Sequence, residues 1–345
     1  MVIKLRSRFL GLMASWVLAA LLACGAGQAT EYEYDGANPP HYAAPRTAVG
    51  GSPQVALVLG SGGRRGFAHA GVLRVLEAEG IKPDLIVGVS IGSIIGALYA
   101  SGMSAAEVEQ LAMQLDLSDL RDLSWLHWGQ VRGQKLQNFV NERVRGRPLE
   151  SLAGQATGTA TGMRGIRFAV VATRQHDGAM QIFNSGDTGA AVRASSAVPG
   201  RFYAVRIAGV AYIDGDVVSP VPVRAARLLG ASVVIAVDIS AHVDKAPKEV
   251  PDDWLWHDRD RRKRIDAEAL FADVVIHPDL GYYAGTSGNY RARVIASAAQ
   301  ATRAALPRIR AAMASKRAGA TTPTPSGANP TAPSPPPSPA LPAAR

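Results

Sequence analysis

A single cysteine, Cys24, stands in 345 residues, so no intramolecular disulfide framework holds this chain together. Cys/His clusters at zinc-ligand spacing and EF-hand loops are missing as well, which points to a metal-independent protein. Aromatic residues make up only 6% and do not interleave with basic ones as in RNA-binding sheets, so nucleic acid is not an expected partner. Residues Gly60 to Gly66 read Gly-Ser-Gly-Gly-Arg-Arg-Gly. They lack the Gly-Lys-Ser/Thr of a Walker loop, and a dinucleotide loop counted from Gly60 needs glycine where Arg65 stands. No cofactor is expected.

What is present begins with a leader. Lys4, Arg6 and Arg8 supply part of the net charge of +9. The apolar or small run from Phe9 to Ala23 suits a signal-peptide core better than a spanning helix of about 20 residues. Leu21-Leu22-Ala23-Cys24 resembles a bacterial lipobox, in which Cys24 becomes the lipidated first residue. Gly25 rather than Asp after it favours the outer membrane. The expectation is an exported protein, either an outer-membrane lipoprotein or a periplasmic protein of a Gram-negative bacterium, meeting the membrane through its lipidated N-terminus. Residues 1–23 then form the signal peptide, 24–53 a flexible tether, 54–240 the core and 241–318 a helical extension completing the domain. Residues 319–345, dense in Pro, Ser, Ala and Thr, form a disordered tail.

The core is organised around Leu85 to Ala97. An apolar strand-like run ends in Gly88-Val89-Ser90-Ile91-Gly92 and passes at once into a small-residue helix, the strand–turn–helix context of a nucleophile elbow. Such a turn pushes the Ser90 hydroxyl outward, and a Cβ at Gly88 or Gly92 would crowd the neighbouring chain. Ser90 also sits at a helix N-terminus, where free N–H groups favour developing negative charge. One crossover earlier, the strand Val55 to Leu59 runs into the Gly60–Gly66 loop and a helix from Phe67. Backbone N–H groups of Gly62, Gly63 and Arg64 can serve there as an oxyanion hole.

Two later segments complete the pattern: Arg193-Ala194-Ser195-Ser196-Ala197-Val198-Pro199-Gly200, and Ile213-Asp214-Gly215-Asp216. With the glycine loop, Phe67-Ala68-His69-Ala70-Gly71-Val72-Leu73 and the elbow, residues 55 to about 240 resemble the bacterial patatin-like phospholipases. That resemblance implies a three-layer α/β/α fold with a mainly parallel central sheet. It also implies a serine acyl hydrolase of phospholipids, lysophospholipids or related lipids, with Ser90 the nucleophile and Asp214 its only side-chain partner. Gly60, Arg65, Gly66, Gly88, Gly92 and Gly215 support the loop and motifs, Arg65 either bracing the loop or touching a lipid phosphate. The pattern is broken twice: Ser61 stands where many members have glycine, and Asp216 where they have glycine or alanine. A second carboxylate beside Asp214 threatens to raise its pKa or displace it.

An aspartate with the ordinary pKa of about 3.9 is a poor base for a serine hydroxyl, so a dry pocket is implied. The mechanistic rival is a Ser-His-Asp triad using Asp238 with His242, His257 or His277, which follow Ser90 in the order of α/β-hydrolases. A rival of another class is a lipid-binding surface protein that keeps the fold without turnover. Trp254-Leu255-Trp256-His257, beside the run Arg259 to Arg264, suggests either a membrane-facing flap or, given the interspersed acids, a solvated helix face.

Overall fold

The computed structural model describes residues 31–44, 54–115, 118–120, 122, 130–153 and 165–321. The leader, Cys24 and the tail beyond 321 lie outside the described residues.

In chain order the strands and α-helices are β1 (Glu31–Glu33), β2 (Val55–Leu59), α1 (Ala68–Ala78), β3 (Leu85–Val89), α2 (Ile91–Ala100), α3 (Ala105–Gln114), α4 (Gln134–Arg143) and α5 (Leu149–Leu152). There follow β4 (Arg167–Arg174), β5 (Met180–Phe183), α6 (Thr188–Ser195), β6 (Ala204–Ile207), β7 (Val210–Asp214) and α7 (Val223–Leu228). The last are β8 (Val233–Val237), α8 (Asp252–Ala269), β9 (Val274–Ile276) and α9 (Gly288–Thr321). Among the described residues these strands form one sheet in the order β1-β6-β7-β4-β3-β2-β8-β9, with β5 paired to β4.

The middle of that sheet, β4-β3-β2-β8-β9, is parallel throughout. Parallel strands carry helices on both faces, so their sequences read as continuous apolar runs rather than as an alternation. Val55–Leu59 and Val233–Val237 are such runs, and every residue of both is buried. The strict alternation of side chains sends Leu57, Leu59, Ile86 and Ile235 into a core shared with α1, α2, α3 and α9. Ala56, Val58, Val87 and Val234 enter the opposite core, under α7 and Ile265 of α8. These two cores define a three-layer α/β/α architecture. Ser104 opens α3 with a capping box, accepting from Glu107 N while the Glu107 carboxylate accepts from Ser104 N.

The structure corrects the sequence reading at both margins. Part of the expected tether is structured: β1 pairs in parallel with β6, Tyr34 is buried, and its hydroxyl donates to Asp187 at 3.2 Å. Few apolar residues mark that stretch, because backbone pairing and polar contacts hold it, with Tyr34 and the stack of Tyr32 against the Arg193 guanidinium as its aromatic anchors. At the other end α9 continues through Thr321, three residues into the expected tail. The C-terminal extension also supplies β9, a strand of the sheet.

Candidate active site

Parallel sheets bring the C-terminal ends of their strands, and the loops that follow them, to one side. The glycine loop leaves β2 there, the elbow leaves β3, and Asp238 follows β8.

The elbow is tight and strained. Ser90 holds φ 52° and ψ −127°, a left-handed conformation that non-glycine residues rarely adopt. Its close quarters require glycine on either side. A Cβ on Gly88 would stand 2.5 Å from Ser93 Cα, and one on Gly92 would stand 2.1 Å from Leu59 O. The strained backbone is fastened by hydrogen bonds. Ser90 N donates to Ser195 Oγ at 2.9 Å, and Ser195 Oγ donates in turn to Val171 O at 2.5 Å. Ser90 O accepts from Ser93 N at 2.9 Å and from Ser93 Oγ at 2.6 Å.

Held in this way, the Ser90 hydroxyl donates to Asp214 Oδ2 at 2.7 Å. Asp214 ends β7 and is 2% exposed. Its other oxygen, Oδ1, accepts from Asp216 N at 2.8 Å. Its backbone is tied down by Ala197 O at 2.9 Å and by the Thr173 hydroxyl at 2.8 Å. Burial, and secondarily the neighbouring Asp216 carboxylate, push the Asp214 pKa up to about 7 against the opposing pull of Asp216 N–H, the Ser90 hydroxyl and Arg261. This carboxyl therefore changes charge near neutral pH.

The glycine loop closes into a 3-10 turn, Gly63–Phe67. Gly60 N, Ser61 N and Arg65 N are used internally, donating to Val237 O, Pro220 O and Gly62 O. The first N–H groups of a helical turn have no partner within its own ladder, and Gly63 and Arg64, beside Gly62, stand at those positions. His69 of α1 braces this loop from behind: its Nε2 bonds Gly60 O at 2.8 Å, and full burial brings its pKa down to about 4, so Nε2 carries the proton and donates. Arg65 donates to Tyr282 O, a bracing contact, while its side chain also lines the pocket.

That pocket, about 260 Å³, brings together Gly62, Gly63, Ser90, Asp214 and Pro199 with residues of α8. Its walls are more polar than the sequence suggested, since Arg65, Asp258, Arg261 and Arg262 face it. The dry surroundings are local to the buried Asp214.

The rival triad is not assembled around Ser90. His277 Nε2 lies 3.6 Å from Asp238 Oδ2, and its ring stacks on His242 at 4.0 Å. Asp238 itself accepts from Arg262 Nη1 at 2.5 Å and from Ser240 N at 2.9 Å. Burial works to raise this carboxyl, but His277, Arg262 and the Ser240 bonds outweigh it and hold it below the ordinary range. His257 packs edge-on to Trp256 on α8. Among the described residues no group of three or more His, Cys, Asp or Glu is arranged to hold a metal, and no helix is long and apolar enough to cross a membrane.

Sequence reasoning passed over Ser195, which it noticed only as part of a motif, and Arg261. A serine buried next to another buried serine gives a sequence reader no sign of which backbone it supports. Ser195→Ala leaves Ser90 N–H buried without an acceptor, a cost of about 1–3 kcal/mol. The variant is expected to unfold several degrees lower and to lose roughly tenfold in turnover, measured by thermal unfolding and an acyl-ester assay.

A serine on a strained strand-to-helix turn, facing a buried carboxylate and a glycine loop, places the molecule among α/β folds built around a nucleophile elbow. Within that class, the segment 57–227 matches the model of the patatin-like phospholipase family. An uncharacterized NTE family protein of Mycobacterium tuberculosis is 32% identical over 203 residues, 58% of this chain and 53% of that protein. Human patatin-like phospholipase domain-containing protein 6 is 32% identical over 197 residues, 54% of this chain and 13% of that protein. The chain therefore spans about half the mycobacterial relative and a small part of the human one. Among solved structures, VipD from Legionella pneumophila shares the fold with a TM-score of 0.52 at 14% identity, over 76% of this chain and 68% of that one.

Proposed function

We propose that this protein is a serine acyl hydrolase that cleaves ester bonds of phospholipids, lysophospholipids or related lipids through a Ser90–Asp214 dyad. The observation that carries the proposal is the 2.7 Å hydrogen bond from the Ser90 hydroxyl to a buried carboxylate, with no imidazole between them. In the first half-reaction Ser90 Oγ attacks the ester carbonyl as its proton passes to Asp214. The N–H groups of Gly62, Gly63 and Arg64 stabilise the oxyanion. Collapse expels the alcohol, which takes the proton back from Asp214 and leaves an acyl-serine. Water, deprotonated by Asp214, then attacks the acyl carbon, and Ser90 leaves with the proton. The match to that family supports a lipid ester as substrate. The leader and Cys24 support action at a membrane by an exported lipoprotein.

The test is fatty-acid release from lysophospholipid and phospholipid vesicles, paired with labelling by a fluorophosphonate probe. Wild type should release fatty acid and label, Ser90→Ala should do neither, and His277→Ala should do both. A wild-type protein that binds vesicles but neither labels nor releases fatty acid is the turnover-free lipid binder instead.

A further inference from the structure

The two breaks in the family pattern touch one another. The Ser61 hydroxyl donates to Asp216 Oδ1, and both meet one cation. Arg261 of α8 places Nε on Asp216 Oδ1 at 2.8 Å, and Nη2 on Ser61 Oγ at 2.8 Å and Ser61 O at 3.0 Å. One guanidinium thus spans the loop after β2 and the turn after β7. Asp216 reaches the base directly, since its own N–H donates to Asp214 Oδ1.

We infer that Arg261 is a positioning residue for the proposed dyad, locking the glycine loop to the Asp214 turn through Ser61 and Asp216 and offsetting the second carboxylate so that Asp214 can ionise. The inference rests on the dyad reading and adds a part to it from outside the family-matched segment, which ends at residue 227. Ser61 and Asp216 are then complementary rather than independent departures. With glycine at both places Arg261 would keep only the backbone carbonyl of residue 61 and lose both side-chain acceptors. With Asp216 alone, a carboxylate would face the base uncompensated. The Arg261–Asp216 pair is well sheltered on the arginine side, at 17% side-chain exposure against 33% for the aspartate, so solvent screens it only in part. The charged groups around the turn are Asp216 beside Asp214, Arg261 from α8, and then Arg65 of the glycine loop, which adjoins both Arg261 and Asp258 of α8. The Ser90 hydroxyl completes the surroundings of the base.

The experiment is the pH profile of kcat/KM on a short-chain p-nitrophenyl ester for wild type, Arg261→Gln, Arg261→Lys, Asp216→Gly and the Arg261→Gln/Asp216→Gly pair. Removing the cation while leaving the carboxylate should move the acidic limb upward by about one pH unit, because Asp214 then ionises against an unbalanced negative charge. At pH 6.5 Arg261→Gln should fall about tenfold below wild type and recover in part at pH 9. Arg261→Lys, which keeps the charge and loses the fork, should hold the limb near its wild-type position at a lower plateau; it also serves if the glutamine variant does not fold. Asp216→Gly should move the limb downward, and the double variant should cancel the upward shift of Arg261→Gln. An unmoved limb in Arg261→Gln, equal losses at every pH, or a double variant no better than Arg261→Gln would each overturn the inference. Asp214→Asn run alongside separates the two readings: full activity there sinks the dyad itself, whereas an inactive Asp214→Asn with an unmoved Arg261→Gln limb sinks only the role of Arg261.

Discussion

Asp214→Asn is expected to cut ester hydrolysis by about 10³-fold or more while making the folded protein more stable above pH 7. The first effect follows, on the proposed dyad, from loss of the carboxylate that accepts the Ser90 hydroxyl. The second follows from where that proton sits. The folded-state pKa is raised to about 7 from an ordinary 3.8, so between those values the native protein binds the proton more tightly than the unfolded chain does. Stability present at low pH is therefore lost as pH rises from about 4, and is fully lost once Asp214 ionises in the folded state at about pH 7. An asparagine has nothing to lose over that range. Its advantage should reach a few kcal/mol at pH 8 and shrink toward zero near pH 4, read as the difference between thermal midpoints of variant and wild type across pH. An advantage that does not vary with pH would mean that Asp214 carries no buried charge. In wild type the same titration should appear in kcat/KM as a fall below about pH 7.

Gly92→Ala should be among the most damaging single methyl additions at the described glycines. The added carbon would stand 2.1 Å from Leu59 O and 2.7 Å from Gly60 O, both backbone atoms that cannot swing aside. Relief requires α2 to lift from the end of β2, which parts the elbow from the glycine loop. Both stability and catalysis should fail together: about 4 kcal/mol or more, seen as insoluble protein or a midpoint lowered by about 10 °C, with hydrolysis at background. Gly288→Ala, where nothing stands within 4 Å of the new carbon, is the matched control and should be neutral. A Gly92→Ala protein that folds and labels normally would show that the elbow tolerates a wider approach than the geometry allows.

The sheet and the pair at its centre were legible because they depend on local signals. Buried parallel strands announce themselves as unbroken apolar runs, and a Gly-x-Ser-x-Gly at the junction of one such run with a small-residue helix admits few geometries. The structure brings Ser90, Asp214 and the glycine loop to one point from positions far apart in sequence, and the motif order anticipated that meeting. Arg261 was not legible. It stands in a run of mixed charge where Arg259, Arg262, Lys263 and Arg264 look equally good, and only the turn of α8 decides which one reaches Asp216. Helix α4 is equally hard to see in the sequence, since its charged and polar surface hides the few buried positions, Leu136, Gln137 and Val140. Residues 31–44 escaped for a related reason: their hold on the sheet is backbone pairing and two tyrosines, which no hydrophobic pattern advertises.

That early strand also decides how the protein ends its sheet. β1 is three residues long and carries two outward acids, Glu31 and Glu33, both paired with Arg206 of β6. Short, charged border strands of this kind discourage neighbouring molecules from adding their own strands. A chain shortened to begin at Val55, where the first buried apolar strand starts, would bare the flank of β6. It would then offer an open template for self-association, however intact the Ser90–Asp214 hydrogen bond remained.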